Sequence, residues 1–401
     1  MRTILRNVEL FDGGIRGRIP KATVIVTGDR ISNVLSKAEA PSMGQDDIVY
    51  DLIGKTLLPG IINCHTHLGW DGYGDLREQS VEAAQYPVRA GIRVARNLHA
   101  SLEAGVTTIR DLGVHHTALD AKQMLRGGRI AGPRVFACGA PIAGTGGSAW
   151  YSLREADGPV EVRRAVREQK RAGAEWIKVM ATGRREQEYT DAEIQAAADE
   201  AHMQGLRVTA HATFSKGTKA CVLAGFDCIE HGGDYDSEVE RLLVERGVWV
   251  VPTFSPLVQQ ARHGPEWGMR KEDVERRRKA LEDRKERDGI ARLRRAGVKL
   301  AFGTDAGSPV VPHNEIVAEM ESLLEFGVFG RVEEILTTAT LKSAEMLGQA
   351  KDLGTVEPGK LADLVVVDGD PFTRLADLRK IDKVFLNGRL VVNRGSVVRG
   401  L

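Results

Sequence analysis

Trp176-Ile-Lys-Val-Met180, a polar stretch ending at Thr190, the run Asp191 to Gln204, then Gly205 and Arg207-Val-Thr-Ala-His211 form the unit whose reading decides the fold. The two outer runs are short, mostly apolar and bounded by polar residues, which is how strands buried on both faces read. Asp191 to Gln204 carries a helical pattern, with Thr190 placed to cap its start and Gly205 to stop it. The same strand–helix alternation recurs along the middle of the chain. Its other apolar runs are Gly60-Ile-Ile-Asn-Cys64, Val106-Thr-Thr-Ile-Arg110, Arg134-Val-Phe-Ala-Cys138, Phe226-Asp-Cys-Ile-Glu230, Val248-Trp-Val-Val-Pro252 and Lys299-Leu-Ala-Phe-Gly303. A glycine precedes several of them (Gly105, Gly173, Gly225, Gly247, Gly297), as a helix C-cap before a strand would. Eight such strands alternating with helices predict an α/β fold, a (β/α)8 TIM-type barrel over 58–351.

Outside that span the pattern changes. Thr23-Val-Ile-Val-Thr27 and Arg30-Ile-Ser-Asn-Val-Leu35 flank Gly28-Asp29, and Lys383-Val-Phe-Leu386 runs through Asn387-Gly388 into Arg389-Leu-Val-Val392. Both read as hairpins. Neither end has strands enough to stand alone, so 1–57 and 352–401 are expected to form one small β-sandwich domain from both termini. Glu266 to Arg295 reads as a long charge-dense helical insertion whose mixed signs suit a solvated face.

The chain of 401 residues is 42% hydrophobic, ample for a large core and against disorder. With 56 Lys and Arg against 55 Asp and Glu, the net charge of +1 gives no global case for nucleic acid or an anionic membrane as partner. Four cysteines without a CxxC pair argue against a disulfide scaffold and a zinc knuckle. No signal-peptide pattern and no run of about 18 apolar residues is present, so a cytoplasmic location is expected.

Barrel enzymes place reactive groups at the C-terminal ends of strands. The first strand leads into His65-Thr66-His67, whose imidazoles, two residues apart, face one way. The fifth ends at His211 and the sixth at His231. Each alone reads equally as a rim or core histidine; four at three strand exits suit a divalent cation held by nitrogen ligands. Lys178 lies among apolar neighbours, where desolvation lowers an amine's pKa. It either reaches the barrel end or a carboxylate, or, as a neutral amine, takes up carbon dioxide as an anionic carbamate. Asp305, after the eighth strand, is either a turn or cap residue or a metal ligand able to carry a proton from water to a leaving group.

With these residues on view, the sequence resembles the amidohydrolase superfamily, in particular its binuclear branch. Pro59-Gly-Ile-Ile-Asn-Cys-His-Thr-His67 matches the opening motif. Lys178, His211, His231 and Asp305 match the remaining ligand positions in order, and Gly354 to Val367 looks like the return into the terminal β domain. The resemblance implies two divalent metal ions, zinc by preference. His65, His67 and Asp305 would hold one, His211 and His231 the other, and carboxylated Lys178 both, with a metal-bridging hydroxide attacking and Asp305 as proton shuttle. Glu103-Ala-Gly-Val-Thr-Thr-Ile-Arg-Asp-Leu-Gly113, Gly132-Pro-Arg134 and Ile229-Glu-His-Gly232 look most similar to prolidase-like and arginine-carboxypeptidase-like dipeptidases. That resemblance implies hydrolysis of an amide bond in a dipeptide or N-acyl amino acid, of Xaa-Pro or Xaa-Arg/Lys type. One departure is Ser148, in Thr145-Gly-Gly-Ser148, where relatives typically have a histidine. Relatives often associate through barrel faces, so a homo-oligomer is compatible.

For the small-molecule substrate, the loops offer Trp70, Tyr73, Ser148, Trp150, Tyr151, Arg184, Arg185, Tyr235 and His313. Arg184 and Arg185 suit a bidentate grip on a carboxylate, with Tyr235 adding a hydroxyl. If those arginines face solvent instead, the pocket suits neutral or xenobiotic amides, carbamates, lactones or organophosphate esters. A deaminase is disfavoured by Lys178, and a non-catalytic scaffold by the complete ligand set.

Overall fold

The structure, a computed structural model, describes residues 2–36, 44–183, 186–233 and 235–398, with residue 286 described by its backbone alone. The chain opens with strands β1 (Arg2–Phe11), β2 (Arg18–Thr27), β3 (Arg30–Leu35), β4 (Ile48–Asp51) and β5 (Lys55–Pro59). The central part carries β6 (Ile61–Thr66), β7 (Val106–Asp111), β8 (Arg134–Ala137), β9 (Ile142–Ala143), β10 (Arg154–Glu155), β11 (Trp176–Met180), β12 (Arg207–Ala212), β13 (Cys228–His231), β14 (Trp249–Val251) and β15 (Lys299–Leu300). β16 (Leu364–Asp368), β17 (Ile381–Leu386), β18 (Arg389–Asn393) and β19 (Ser396–Val397) complete it.

Strands from the two ends share one nine-stranded sheet, ordered β19-β18-β17-β16-β5-β1-β2-β3 with β4 beside β1. The expected sandwich is thus one continuous hydrogen-bonded sheet, because β5 pairs on one side with β1 and on the other with β16. Side chains of Leu5, Val8, Val24, Leu57, Leu364, Val366 and Phe385 form its own core.

All pairings among β6–β15 are parallel. One sheet runs β10-β9-β11-β12-β13-β14-β15 and a second β6-β7-β8. Hydrogen bonds tie them on both sides: Glu175 N donates to Ala137 O at 2.9 Å, and Cys64 N to Phe302 O at 2.8 Å. This is a TIM-type α/β architecture beside a β-rich unit. Period-two alternation sorts the side chains. Ile177 and Val179 of β11, Val208 and Ala210 of β12, and Val250 of β14 pack outward against the helices. Trp176, Cys228 and Val251 pack inward.

Two expectations change in detail. The eighth strand is regular only over Lys299–Leu300, and the chain beyond it runs irregularly beside β6. Gly303 sits where an added Cβ would lie 2.5 Å from Val251 Cγ1 and 2.8 Å from His65 Cβ. The charge-dense insertion is not one helix. It breaks at Arg284, in left-handed backbone (φ 62°), between Lys271–Asp283 and Lys285–Ala296, and the second piece buries Ile290 and Leu293. The helix Asp191–Met203 starts on a full capping box of Thr190 and Glu193. The four cysteines are buried and unbridged.

The close approach at Gly303 sets an expected outcome. Gly303→Ala should destabilise the fold by about 1–3 kcal/mol through overpacking, read as a lower urea midpoint at unchanged slope.

Candidate metal centre

Asn63 fixes the two strand ends that meet at the site. Its amide donates to Thr304 Oγ1 at 2.8 Å, and its Oδ1 accepts from Thr304 N at 3.1 Å. Asp305 N then donates to His65 O at 2.9 Å, and His67 N to Ala306 O at 2.8 Å. Asp305 is thereby pinned beside both histidines in left-handed backbone, φ 58°. His231 shares that rare conformation, φ 72°. It needs it: Glu230 points inward, so simple alternation would turn His231 outward. The left-handed step brings its ring to 4.5 Å from that of His211 and 4.9 Å from that of His65. Backbone of this kind costs on the order of 1–3 kcal/mol per residue, the sort of strain that collects at functional sites.

Side-chain polarity follows the same design. His65 Nδ1 lies 2.8 Å from Glu230 Oε2, His67 Nδ1 is 2.7 Å from the Gly113 carbonyl, and His231 Nδ1 is 2.7 Å from Thr253 Oγ1. With each Nδ1 engaged, each Nε2 is the nitrogen left to face a cation. Asp305 Oδ1 is buried and, among the described residues, has no hydrogen bond, although Nε2 of His65 and of His67 stand 3.4 and 3.1 Å away. Nitrogen and oxygen donors facing one another out of hydrogen-bond alignment are what ligands of a shared cation look like. Ligand atoms of His65, His231 and Asp305 all lie within 4.8 Å of one another. The donor set fits a divalent cation of the zinc type.

Electrostatics agree. Burial holds His65, His211 and His231 well below the usual imidazole range, hence neutral. Burial also opposes charge on Asp305, but the imidazoles of His65 and His67 outweigh it and bring the carboxyl down to about 2. Burial likewise works against charge on His67, and Asp305 overcomes it, leaving that imidazole raised. Lys178 is buried at the centre of β11, and desolvation lowers its amine.

The structure brings His65, His67, His211, His231 and Asp305 into one cluster, with Lys178 buried facing the same interior. The substrate candidates are more dispersed. Trp70 packs its ring 4.7 Å from that of His67. His313 donates from Nε2 to the Trp70 carbonyl at 2.9 Å, leaves Nδ1 buried without a hydrogen-bond partner among the described residues, and is lowered to about 4 by burial. Ser148 Oγ and N both donate to the Glu188 carboxylate. Tyr151 is half-buried. Three of these side chains have protein partners of their own. Trp150 is 42% exposed, under the Arg77 guanidinium; Tyr73 stacks outward on Trp267. The Tyr235 hydroxyl donates to the Ala212 carbonyl at 2.5 Å, so its proton is committed to β12 rather than to a ligand. Arg184 and Arg185 lie outside the described residues.

Sequence reasoning missed Arg110 and Glu230. Both are wholly buried, joined at 2.6 Å, with Arg110 Nε also donating to Cys64 O at 2.6 Å and its guanidinium 4.6 Å over Trp176. The Thr209 hydroxyl completes the Glu230 shell. Burial would raise the Glu230 carboxyl, but the Arg110 charge lowers it below the usual range. The available signal was the one that marked Lys178: a charge inside an apolar strand.

Residues 56–391 match the amidohydrolase family. The ochratoxinase of Aspergillus niger is 28% identical over 413 aligned residues, covering 93% of this chain and 83% of that protein. A prolidase solved with N-methylphosphonate-L-proline superposes with a TM-score of 0.87 at 30% identity, over 98% of this chain and 100% of that one. A Xaa-Pro dipeptidase solved with methionine in its active site gives 0.86 at 28%, over 97% and 99%. Among the described residues no helix is long and apolar enough to cross a membrane.

Arg110→Met strands the Glu230 carboxylate in the interior. It should cost about 3–5 kcal/mol, measured by chemical denaturation.

Proposed function

The chain belongs to the amidohydrolase family, and we propose that it is a binuclear hydrolase of dipeptides or N-acyl amino acids, of Xaa-Pro or Xaa-Arg/Lys type. That it is an enzyme of the metal-dependent, amide-hydrolysing kind follows from the family and its relatives. The observation that carries the proposal is the approach of ligand atoms of His65, His231 and Asp305 to within 4.8 Å of one another, together with an Asp305 oxygen that has no hydrogen bond among the described residues. In this reading His65, His67 and Asp305 would hold one divalent cation, His211 and His231 a second, and Lys178, once converted to a carbamate with carbon dioxide, would serve both. Zinc suits this donor set. When bound, such cations supply Lewis acidity to an amide carbonyl and acidify water.

The chain's own groups do the rest. Asp305, ionised and buried, takes the proton from the attacking water and delivers it to the departing amine nitrogen. Glu230, Gly113 O and Thr253 fix the rings of His65, His67 and His231. The same reading takes the parallel strands of 58–351 as a closed barrel and 1–57 with 352–401 as the β domain. Likeness to the prolidase and the Xaa-Pro dipeptidase supports the dipeptide class.

A second reading, a hydrolase of neutral amides, carbamates or esters, is favoured by one observation. Ser148 is turned onto Glu188, and the Tyr235 proton is committed to β12, so neither offers a donor to a substrate carboxylate.

Turnover of dipeptides with free C-terminal carboxylates, against the same compounds as C-terminal amides, on protein of measured metal content, separates the two. Activity confined to the free acids is expected; hydrolysis of the amides, or only of neutral esters and carbamates, would move the protein to the second reading. Lys178→Ala should lose metal and turnover together, by metal analysis and rate. Asp305→Asn should keep the fold, by circular dichroism, while turnover drops roughly 10²–10⁴-fold.

A further inference from the structure

The helix Phe254–His263 begins directly after Thr253, a residue type that normally caps a helix with its own hydroxyl. Here it does not. Thr253 makes no side-chain cap, and its Oγ1 lies 2.7 Å from His231 Nδ1. The amides left open at the start of the helix are taken by a residue far along the chain. Glu319, on the helix Val317–Glu325, accepts from Phe254 N at 3.0 Å and from Ser255 N at 2.6 Å, and the Ser255 hydroxyl adds a third bond at 2.7 Å. Glu319 is completely buried, so these bonds are its partners in place of water.

We infer that Glu319 is a positioning residue for the metal centre: by capping the helix Phe254–His263 in place of Thr253, it frees the Thr253 hydroxyl to hold His231. The chemistry is a competition for one oxygen. A threonine hydroxyl drawn onto the amides of its own helix is turned away from the imidazole. With the amides satisfied by Glu319, Oγ1 accepts the Nδ1 proton of His231 and leaves Nε2 as the ligand atom. His231 needs such a hold because it ends β13 in left-handed backbone, paired with Ala212 of β12 but beyond the last β13–β14 pair, Glu230 with Val251. Glu319 stands on the helix that follows the Asp305 loop. The same contact therefore couples the strand end bearing Asp305 to the one bearing His231.

This inference rests on the metal-centre reading, and the experiment separates the two. Zinc is titrated into the full chain, stripped beforehand with chelator, against a competing chelating dye, for wild type, Glu319→Ala, Glu319→Gln, Thr253→Val, Thr253→Ser and His231→Ala. Glu319→Ala and Thr253→Val are each expected to weaken zinc at one site roughly 10–100-fold. Their double variant should be no weaker than the worse single one, since both act through one oxygen. Thr253→Ser should restore binding, and Glu319→Gln, which keeps the shape and an acceptor, should fall between. If Glu319→Ala lowers the melting temperature but binds zinc as wild type does, Glu319 is only a structural cap and the inference fails. Should Glu319→Ala not fold, Glu319→Gln combined with Thr253→Val decides: additive losses overturn the coupling. If His231→Ala binds zinc unchanged in amount and affinity, the metal reading itself fails.

Discussion

Among the parallel strands a guanidinium and a carboxylate meet with no solvent at either. Such a pair is costly to desolvate, and its attraction offsets the cost only if the remaining donors and acceptors are also used. Most are: Arg110 reaches back to the Cys64 carbonyl and lies on Trp176, while Glu230 takes the Thr209 hydroxyl and the His65 ring. One nitrogen, Arg110 Nη1, has no hydrogen-bond partner among the described residues. Residues of β6, β7, β11, β12 and β13 are thereby joined through two side chains. The cluster of histidines above inherits its geometry from this contact, because the carboxylate that neutralises Arg110 also sets which nitrogen of His65 faces Asp305. Stability and site are one arrangement here.

The two carboxylates that orient histidines act at different ranges. Glu230 touches His65 itself and is adjacent in sequence to His231. Glu319 acts across a helix start and a threonine hydroxyl. Elsewhere the protein solves the same capping problem locally, with Thr190 and Glu193 completing each other within one turn. That local solution occupies the threonine hydroxyl, which costs nothing at an exposed helix start. At Thr253 it would remove a group that the imidazole uses.

Much of this was legible in the sequence because it depends on local period. Trp176-Ile-Lys-Val-Met180 reads as a strand with Lys178 among apolar neighbours, and it is one; Thr190 and Gly205 bound a helix as their chemistry requires. The histidines and Asp305 were found from their places at strand ends. What was not legible depends on partners distant in the chain or on backbone that breaks period. His231 reaches the cluster only through a positive φ, and Gly303 lets the last strand run irregularly against His65. Loop side chains carry no period. Nothing in sequence could show that the Tyr235 hydroxyl finds Ala212 or that Trp150 lies beneath Arg77. Arg110 and Glu230 were readable in principle, as charges within apolar strands.

The nine-stranded sheet has a consequence in time. Lys55, on β5, binds Asp368, on β16, across 313 residues of chain, and β5 leads through Gly60 directly into the strand that carries His65. During synthesis the N-terminal strands emerge long before β16 exists, with the β5 edge open and its amides unpaired. Contacts of such sequence separation make for slow folding. β5, which leads into the strand bearing His65, therefore gains its second neighbour only once Leu364–Asp368 has left the ribosome. Until then, that open edge is where the unfinished chain is most exposed to pairing with the wrong partner.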